Sequence, residues 1–480
     1  MANTNVDAAI RYLTDLSVPY ITPGDLDWDI HSATYNLRVP VIPAIIVFPD
    51  HVGHISSAVF CAGEHGLKVQ ARSGGHSYAS HSNGGANGSM VIDLQKMQYF
   101  NSARDPVLVR GGMRLGNLAH NIYTTLDRKR ALPHGSCAGV GIGGHFTHGG
   151  YGFFSRAWGL AMDRISALSV VTASGACVYA SKEENADISL TQAMRGAADS
   201  FGIVKSFFLD TVPAPERVVH WDLFMHDANK SIDSVVDTFQ RVQNFTHNAS
   251  IVDRNLGFNI TLSATCFAIG GTYLGSSSHL AETIIPALHE GMQFTPSFQF
   301  REVDWPASLK LLNQGVDITT PVDDECRYNF FAKSVVVPEP GFTEEALRSF
   351  FTFLLTEGAD APVSYWILVD FYGGADSQIS NKDIDFNAFA HRDALWVVQL
   401  YGFVENDEIF PPEGIDFVNG LANSITTHLP RYGAYSNYAD PSLSRHEAHT
   451  LYYGPELYTR LKAIKQKWDP KNVFENPQSI

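Results

Sequence analysis

The sequence predicts an α+β protein of two domains, the first of them completed by the C-terminal tail. Three observations carry this reading. Up to about residue 214, short β-branched strands alternate with amphipathic helical stretches. Beyond Val212-Pro213-Ala214-Pro215 the strand candidates lengthen and come in pairs, the pattern of an antiparallel sheet backed by helices on one face. The last fifty residues turn helical again and read as a return to the first domain. The expected divisions are 1–214, 215–428 and 429–480.

Taken in order, Val6–Leu13 has helical spacing and Ala44–Phe48 is a short apolar strand. Val52–His65 reads as a helix, and Leu67–Ala71 as a strand that runs straight into a glycine turn at Gly74-Gly75. Strands follow at Met90–Leu94, Val107–Arg110, Ser166–Thr172, Cys177–Ala180 and Ile203–Leu209, with helices at Leu115–Leu126 and Ile188–Arg195. The second part offers seven strands: Val218–Met225, Leu256–Ala264, Phe267–Leu274, Ser297–Val303, Phe330–Val336, Ser364–Phe371 and Trp396–Phe403. Helices interleave near 229–244, 279–291, 343–355 and 414–427. In the tail, Ser444 and Glu447 have capping-box spacing ahead of the amphipathic stretch Pro455–Trp468.

Composition narrows the function classes. A hydrophobic share of 45% and a charged share of 18% are those of a globular chain with a substantial core. The net charge of −16, with no basic run to offset it, argues against nucleic acid or an anionic membrane as partner. No run of apolar residues is long enough to span a bilayer. The opening MANTNVDAAIRYL lacks a basic and then apolar leader pattern, which suits a cytosolic chain or a mature secreted one. Four glycosylation sequons, at Asn87, Asn244, Asn248 and Asn259, tilt the expectation towards secretion, with a cytosolic enzyme as the alternative. The five cysteines, Cys61, Cys137, Cys177, Cys266 and Cys326, show no paired spacing, and a monomer is expected.

Two stretches carry the chemistry. His134–Phe154 reads HGSCAGVGIGGHFTHGGYGFF, with eight glycines in 21 residues. So much glycine argues against a stable helix or strand interior and for a backbone wound closely around a flat, phosphate-bearing ligand. Upstream, Arg72-Ser73-Gly74-Gly75-His76-Ser77-Tyr78 is a second glycine turn that presents one histidine. Gly139, Gly141 and Gly144 satisfy G-x-G-x-x-G, but a strand-to-helix context for a dinucleotide turn is missing. Cys137, His145 and His148 lack the further ligand a metal set requires, so no metal site is expected.

These loops, together with RSGGHSY, WGLAMDRI, NADISLTQAMRG, FGIV, WILVDFYGG, FAHRDALWVVQLY, SNYAD and WDPKNVFENPQSI, resemble the vanillyl-alcohol-oxidase superfamily of flavin oxidases. The closer similarity is to its berberine-bridge-enzyme-like branch, and there to the fungal glucooligosaccharide and chitooligosaccharide oxidases. It runs nearly end to end.

The resemblance implies FAD tethered twice, by His76 to the flavin 8α-methyl and by Cys137 to flavin C6. An imidazole and a thiolate are the side-chain nucleophiles suited to an electrophilic flavin carbon. Cofactor contacts are implied for Arg72, Ser73, Gly74, Gly75, Ser77, Gly141, Gly143, Gly144, His145, Gly150, Ile203, Val204 and Asn437. The implied catalytic pair is Tyr438 and Asp370. A neighbouring carboxylate raises a phenol's pKa, so the pair makes sense as a unit sharing one proton, with Asp370 accepting from Tyr438. Substrate contacts are implied for Tyr78, Trp366, Leu368 and Gln399, and a small residue, Val140, leaves oxygen room beside the flavin.

Here the chain departs from the family pattern. Leu368 replaces a glutamine, and the rough register puts Phe258 and Tyr328 where acids stand. Asp7 and Ala8 occupy the stretch that would hold a partner for Cys61. The implied function is oxidation of an anomeric hydroxyl of a mono- or oligosaccharide to a lactone, with oxygen reduced to hydrogen peroxide. The apolar replacements keep open an apolar or phenolic alcohol as substrate, and a flavin carrier with little catalysis is a third possibility.

Overall fold

Alternation along Ser364–Phe371 sets the architecture of the larger sheet. Ile367, Val369 and Phe371 are buried in a helix-covered core, whereas Trp366, Leu368 and Asp370 point the other way, into a cavity. The computed structural model describes residues 2–103, 106–125, 129–181, 189–226, 228–292, 294–321, 327–381 and 387–480.

The sheet has seven strands, all paired antiparallel, in the order Ser297–Val303, Val218–Phe224, Phe267–Tyr273, Leu256–Leu262, Ser364–Phe371, Ala394–Val404 and Asn329–Pro338. Every strand expected in this region is present. Helices Ile232–Thr246, Glu344–Thr356 and Pro412–Thr426 cover one face and share its core. The stretch expected as one helix near 279–291 is broken into a helical turn at Ser277–His279, a π-turn at Leu280–Ile284 and a last turn at Ile285–Leu288. The sequence reading passed over helix Trp305–Leu312, although its start is written in Asp304, which caps Ala307 N–H, and in Pro306 in the first turn.

The N-terminal region holds two further sheets. One has the order Tyr20–Ile21, Ile45–Val47, Met90–Asp93, Val69–Arg72, and its last three strands run parallel. Helices Ala2–Asp15 and Val52–His65 bury it from one side and share a core with Ile45, Val47, Val69, Met90 and Ile92. The other, Phe100–Asn101, Val107–Arg110, Ile203–Leu209, Ile165–Val171 and Cys177–Ser181, is antiparallel throughout. The helix expected at Leu115–Leu126 spans Leu115–Thr125 and that at Ile188–Arg195 spans Ser189–Met194; Leu126 and Ile188 lie outside the described residues.

The tail packs back on this region. Helices Arg445–Tyr452, with its capping box, and Gly454–Trp468 share a core with the antiparallel sheet. Val69 N–H donates to Val473 O at 2.9 Å. Buried Lys465 donates to Ser200 O, Phe474 O and Asp469. Cys61 is buried with its Sγ against Ala9 O, and Cys326 lies outside the described residues. Among the described residues, no helix is long and apolar enough to cross a membrane.

Candidate active site

The two glycine stretches meet backbone to backbone. A Cβ on Gly141 would lie 2.0 Å from Gly74 N, and one on Gly74 would lie 2.2 Å from Gly141 N. No side chain fits either position. Buried Arg114 ties the loops together by donating to Gly139 O at 2.6 Å and Gly74 O at 3.3 Å. Ser73 Oγ donates to Gly111 O and accepts from Gly143 N–H. The glycine run is not all loop: Ile142–Thr147 is a helix of six residues, with Gly143 and Gly144 inside it. Contacts with the Ser73–Gly74 turn and Arg114 supply what local propensity withholds.

His76 and Cys137 line the same cavity, of about 900 Å³. Burial, reinforced by the Arg114 charge, lowers the His76 pKa to about 4, so its imidazole is neutral and nucleophilic at physiological pH. Cys137 is exposed to the cavity. His145 Nε2 accepts from Gly135 N–H at 3.1 Å, and burial lowers its pKa to about 3, which leaves the ring proton on Nδ1. Gly144 lines the cavity, and a Cβ added there would meet no protein atom within 4 Å. A neutral imidazole, a thiol and a glycine whose missing side chain leaves cavity space are features a tethered flat cofactor requires.

Most of the residues expected to contact cofactor or substrate line this cavity: Ser73, Gly74, Gly75, Ser77, Tyr78, Gly141, Gly144, His145, Trp366, Leu368, Gln399 and Asn437, with Val140 beside them. Five do not. Arg72 is turned away into a buried ion pair with Asp93 at 2.7 Å and also donates to His31 O. Ile203 and Val204 are buried in a central strand. Gly143 and Gly150 shape the loop from behind: Gly150, at φ +77°, donates its N–H to Tyr435 Oη. Asn437 Nδ2 also donates to Tyr435 Oη, at 2.9 Å, and to His148 O.

The catalytic candidates form a chain of three rather than a pair. Tyr151 Oη donates to Asp370 Oδ2 in a short hydrogen bond and lies 3.1 Å from Tyr438 Oη. The expected direct bond from Tyr438 to Asp370 is therefore corrected: the Tyr151 phenol stands between them. The sequence reading missed Tyr151, although it is the one tyrosine inside the glycine run. Burial raises the Asp370 pKa to about 7, against the hydrogen bonds from Tyr151 and Asn259 that pull it down. Tyr438 and Tyr151 are both pushed well above the ordinary phenol value, first by burial and then by the Asp370 charge.

The cavity wall is the open face of the large sheet. Leu368 pairs in register with Gln399 and Thr261, Asp370 with Asn259, and Trp366 with Tyr401. Trp366, Tyr401 and Phe330 stack in a row, with ring centroids 4.6 Å apart at each step. Tyr78 stacks on Tyr438 at 5.5 Å and accepts a hydrogen bond at 2.9 Å from Gln399 Nε2. Tyr328 lies at the rim, half exposed, against Tyr35. Phe258 borders the cavity, but its ring is buried against Phe371, Trp221 and Trp396, whereas the next residue, Asn259, lines the cavity and hydrogen-bonds Asp370. Asn259 thus reads as a sequon but sits beside Asp370, whereas Asn87, Asn244 and Asn248 are exposed.

A fold of this kind, with a glycine cradle and a buried phenol–carboxylate cluster on one cavity, suits a flavin-dependent oxidoreductase. Comparison with known proteins agrees. Residues 43–181 match an FAD binding domain, and residues 434–480 match the berberine and berberine-like family. A chitooligosaccharide oxidase from Gibberella zeae is 33% identical over 99% of this chain and 95% of its own. Xylooligosaccharide oxidase from Myceliophthora thermophila, in complex with xylobiose, superposes with a TM-score of 0.92 at 32% identity, over 98% of this chain and 99% of that one. Glucooligosaccharide oxidase from Acremonium strictum, described with a 6-S-cysteinyl, 8α-N1-histidyl FAD, gives a TM-score of 0.92 at 31% identity with the same coverage. The chain belongs to the berberine-bridge-enzyme-like family of FAD-linked oligosaccharide oxidases, and it is an FAD-dependent oxidase.

Proposed function

We propose that the protein carries FAD joined through His76 and Cys137 and oxidises the anomeric C1 hydroxyl of a mono- or oligosaccharide to a lactone. The observation that carries this reading is the Tyr438–Tyr151–Asp370 chain opening on the cavity that His76 and Cys137 also line. FAD held through His76 and Cys137 would supply the acceptor for the C1 hydride and the route by which the electron pair reaches oxygen as hydrogen peroxide. The residues manage the proton. Tyr438, stacked on Tyr78, takes the hydroxyl proton as the C1 hydride leaves. With its pKa raised by burial, the Tyr438 phenolate alone would be scarce at neutral pH. Relay through Tyr151 to Asp370, whose pKa is about 7, lets the cluster hold the proton without a buried phenolate. The lactone then hydrolyses to an aldonic acid.

A second reading, an apolar or phenolic alcohol, is favoured by Leu368 in the wall and by the Gln399 amide already donating to Tyr78. Anaerobic flavin bleaching tests both. Bleaching by cellobiose, xylobiose, lactose or chitobiose, with colour restored by air, is expected. A flavin that sugars leave oxidised and an aryl alcohol bleaches would replace the first reading by the second. The same reading takes 1–214 and 429–480 as the FAD-binding part, 215–428 as the substrate part, and the protein as a secreted monomer. Glycan mass at Asn87, Asn244 or Asn248 in protein from the native source would support secretion.

A further inference from the structure

Tyr438 lies on a single 3₁₀ turn, Ser436–Tyr438, in a segment that belongs to neither large sheet. Its two ends are both held by one strand of the large sheet, Asn329–Pro338, by different means. Upstream, Val336 and Gly433 exchange both backbone hydrogen bonds, at 2.8 and 3.0 Å, and Tyr435 N–H donates to Ser334 Oγ at 2.9 Å. Tyr435 is itself buried and anchored by Gly150 and Asn437. Downstream, the corresponding tie is a charge. Lys333 Nζ reaches Asp440 Oδ2 at 2.5 Å, with the lysine side chain 19% exposed and the aspartate 5%.

The other groups around Asp440 organise it to receive that lysine. Its Oδ1 accepts from Ser442 N–H and Ser442 Oγ, its N–H donates to Tyr452 Oη, and its carbonyl accepts from Gln478 Nε2. Oδ2 is left for Lys333. Arg38 is the second cation nearby, but its guanidinium donates to Phe330 O and lies over the Phe331 ring. The Lys333 amine lies 5.6 Å from the centre of that same ring.

We propose that Lys333 is a positioning residue for the oxidation: through its ion pair with Asp440 it fixes the downstream end of the turn and so sets Tyr438 Oη within reach of Tyr151. A buried pair that loses one member leaves an uncompensated charge, so the turn relaxes rather than simply losing a contact. An offset of about 1 Å at a base is enough to cost on the order of a hundredfold in rate. The inference rests on the proposed role of Tyr438 as the base.

The test measures anaerobic flavin reduction per bound flavin in the holoenzyme, with the substrate that bleaches it best. Lys333→Met keeps the stem over Phe331 and removes the charge. It is expected to slow reduction by about 10- to 100-fold with KM changed less than about threefold, and Lys333→Arg is expected to restore most of the rate. Asp440→Asn should slow reduction as Lys333→Met does, and the double variant should be no slower than either single one. A wild-type rate in Lys333→Met, or a fall in thermal midpoint alone, would overturn the proposal. Tyr438→Phe is run alongside: if it too reduces at the wild-type rate, the base assignment has failed, whereas a dead Tyr438→Phe beside an unimpaired Lys333→Met condemns the latch alone.

Discussion

The glycine cradle and the sheet wall face each other across one cavity, yet they are built on opposite principles. The cradle is backbone against backbone: Gly74 and Gly141 approach so closely that no side chain fits at either. The wall is side chain against side chain, presented at every second position of strands whose other face is a packed core. Gly74 and Gly141 cannot change without moving main chain, whereas a side chain that points from the wall into the cavity has room to be exchanged. Chemistry common to a family belongs on the first kind of surface and substrate choice on the second.

The sharpest way to break that contrast is at the cradle. Gly141→Ala forces a Cβ to 2.0 Å from the Gly74 amide nitrogen and 2.4 Å from Ser73 Oγ, and the main-chain contact cannot yield. Its cost should exceed about 4 kcal/mol, giving little soluble protein and no yellow fraction on purification. Gly144→Ala is the matched control. Its Cβ meets no protein atom and its φ is not left-handed, so the thermal midpoint should barely move while flavin loading falls. Equal behaviour of the two variants would show that the cradle is not held by this contact.

Between cradle and wall stands the Tyr438–Tyr151–Asp370 chain, the proposed proton relay. Tyr438→Phe removes the proposed base and should reduce the rate of flavin reduction by about 10²–10⁴-fold, with the flavin spectrum intact. Tyr151→Phe should cost less, about 10- to 100-fold, and leave a pH signature. The Tyr151 hydrogen bond lowers the pKa of Asp370, which burial has raised to about 7. Without that bond the carboxyl holds its proton to higher pH. The rising limb of kcat/KM should therefore move upward in Tyr151→Phe, and an unmoved or lowered limb would remove Tyr151 from the relay.

Much of this was legible in the sequence because its physical cause is local. Seven strands with period-two patterning, and a histidine and a cysteine in glycine-rich surroundings, needed no tertiary information to be noticed. What escaped depended on register or on long-range packing. The strand at Leu256–Leu262 was identified, but which of its residues faces the cavity turns on a single-residue choice, so Phe258 was read as wall and Asn259 as a sequon. Tyr151 was visible as a tyrosine among glycines, yet its place between Tyr438 and Asp370 joins residues 219 and 287 positions apart. The helix inside the glycine run contradicts propensity because Arg114 and Ser73 hold the run from outside.

The smallest expected effect lies on the wall and tests the freedom ascribed to it. Leu368 is partly exposed to the cavity and pairs with Gln399 and Thr261 across the strands, so a longer polar side chain can extend into open space. A sugar hydroxyl buried against leucine goes unpaired at a cost of about 1–3 kcal/mol. Leu368→Gln should recover part of that, raising kcat/KM for a hydroxyl-rich disaccharide by up to about tenfold while the maximal rate of flavin reduction and the thermal midpoint stay near wild type. Phe258→Leu makes the opposite separation. Its ring fills the core against Phe371 and Trp396, so it should lower the midpoint and leave the ratio of sugar to aryl-alcohol oxidation unchanged. If Leu368→Gln instead lowered stability and left that ratio untouched, residue 368 would belong to the core and the wall would lie elsewhere on the sheet.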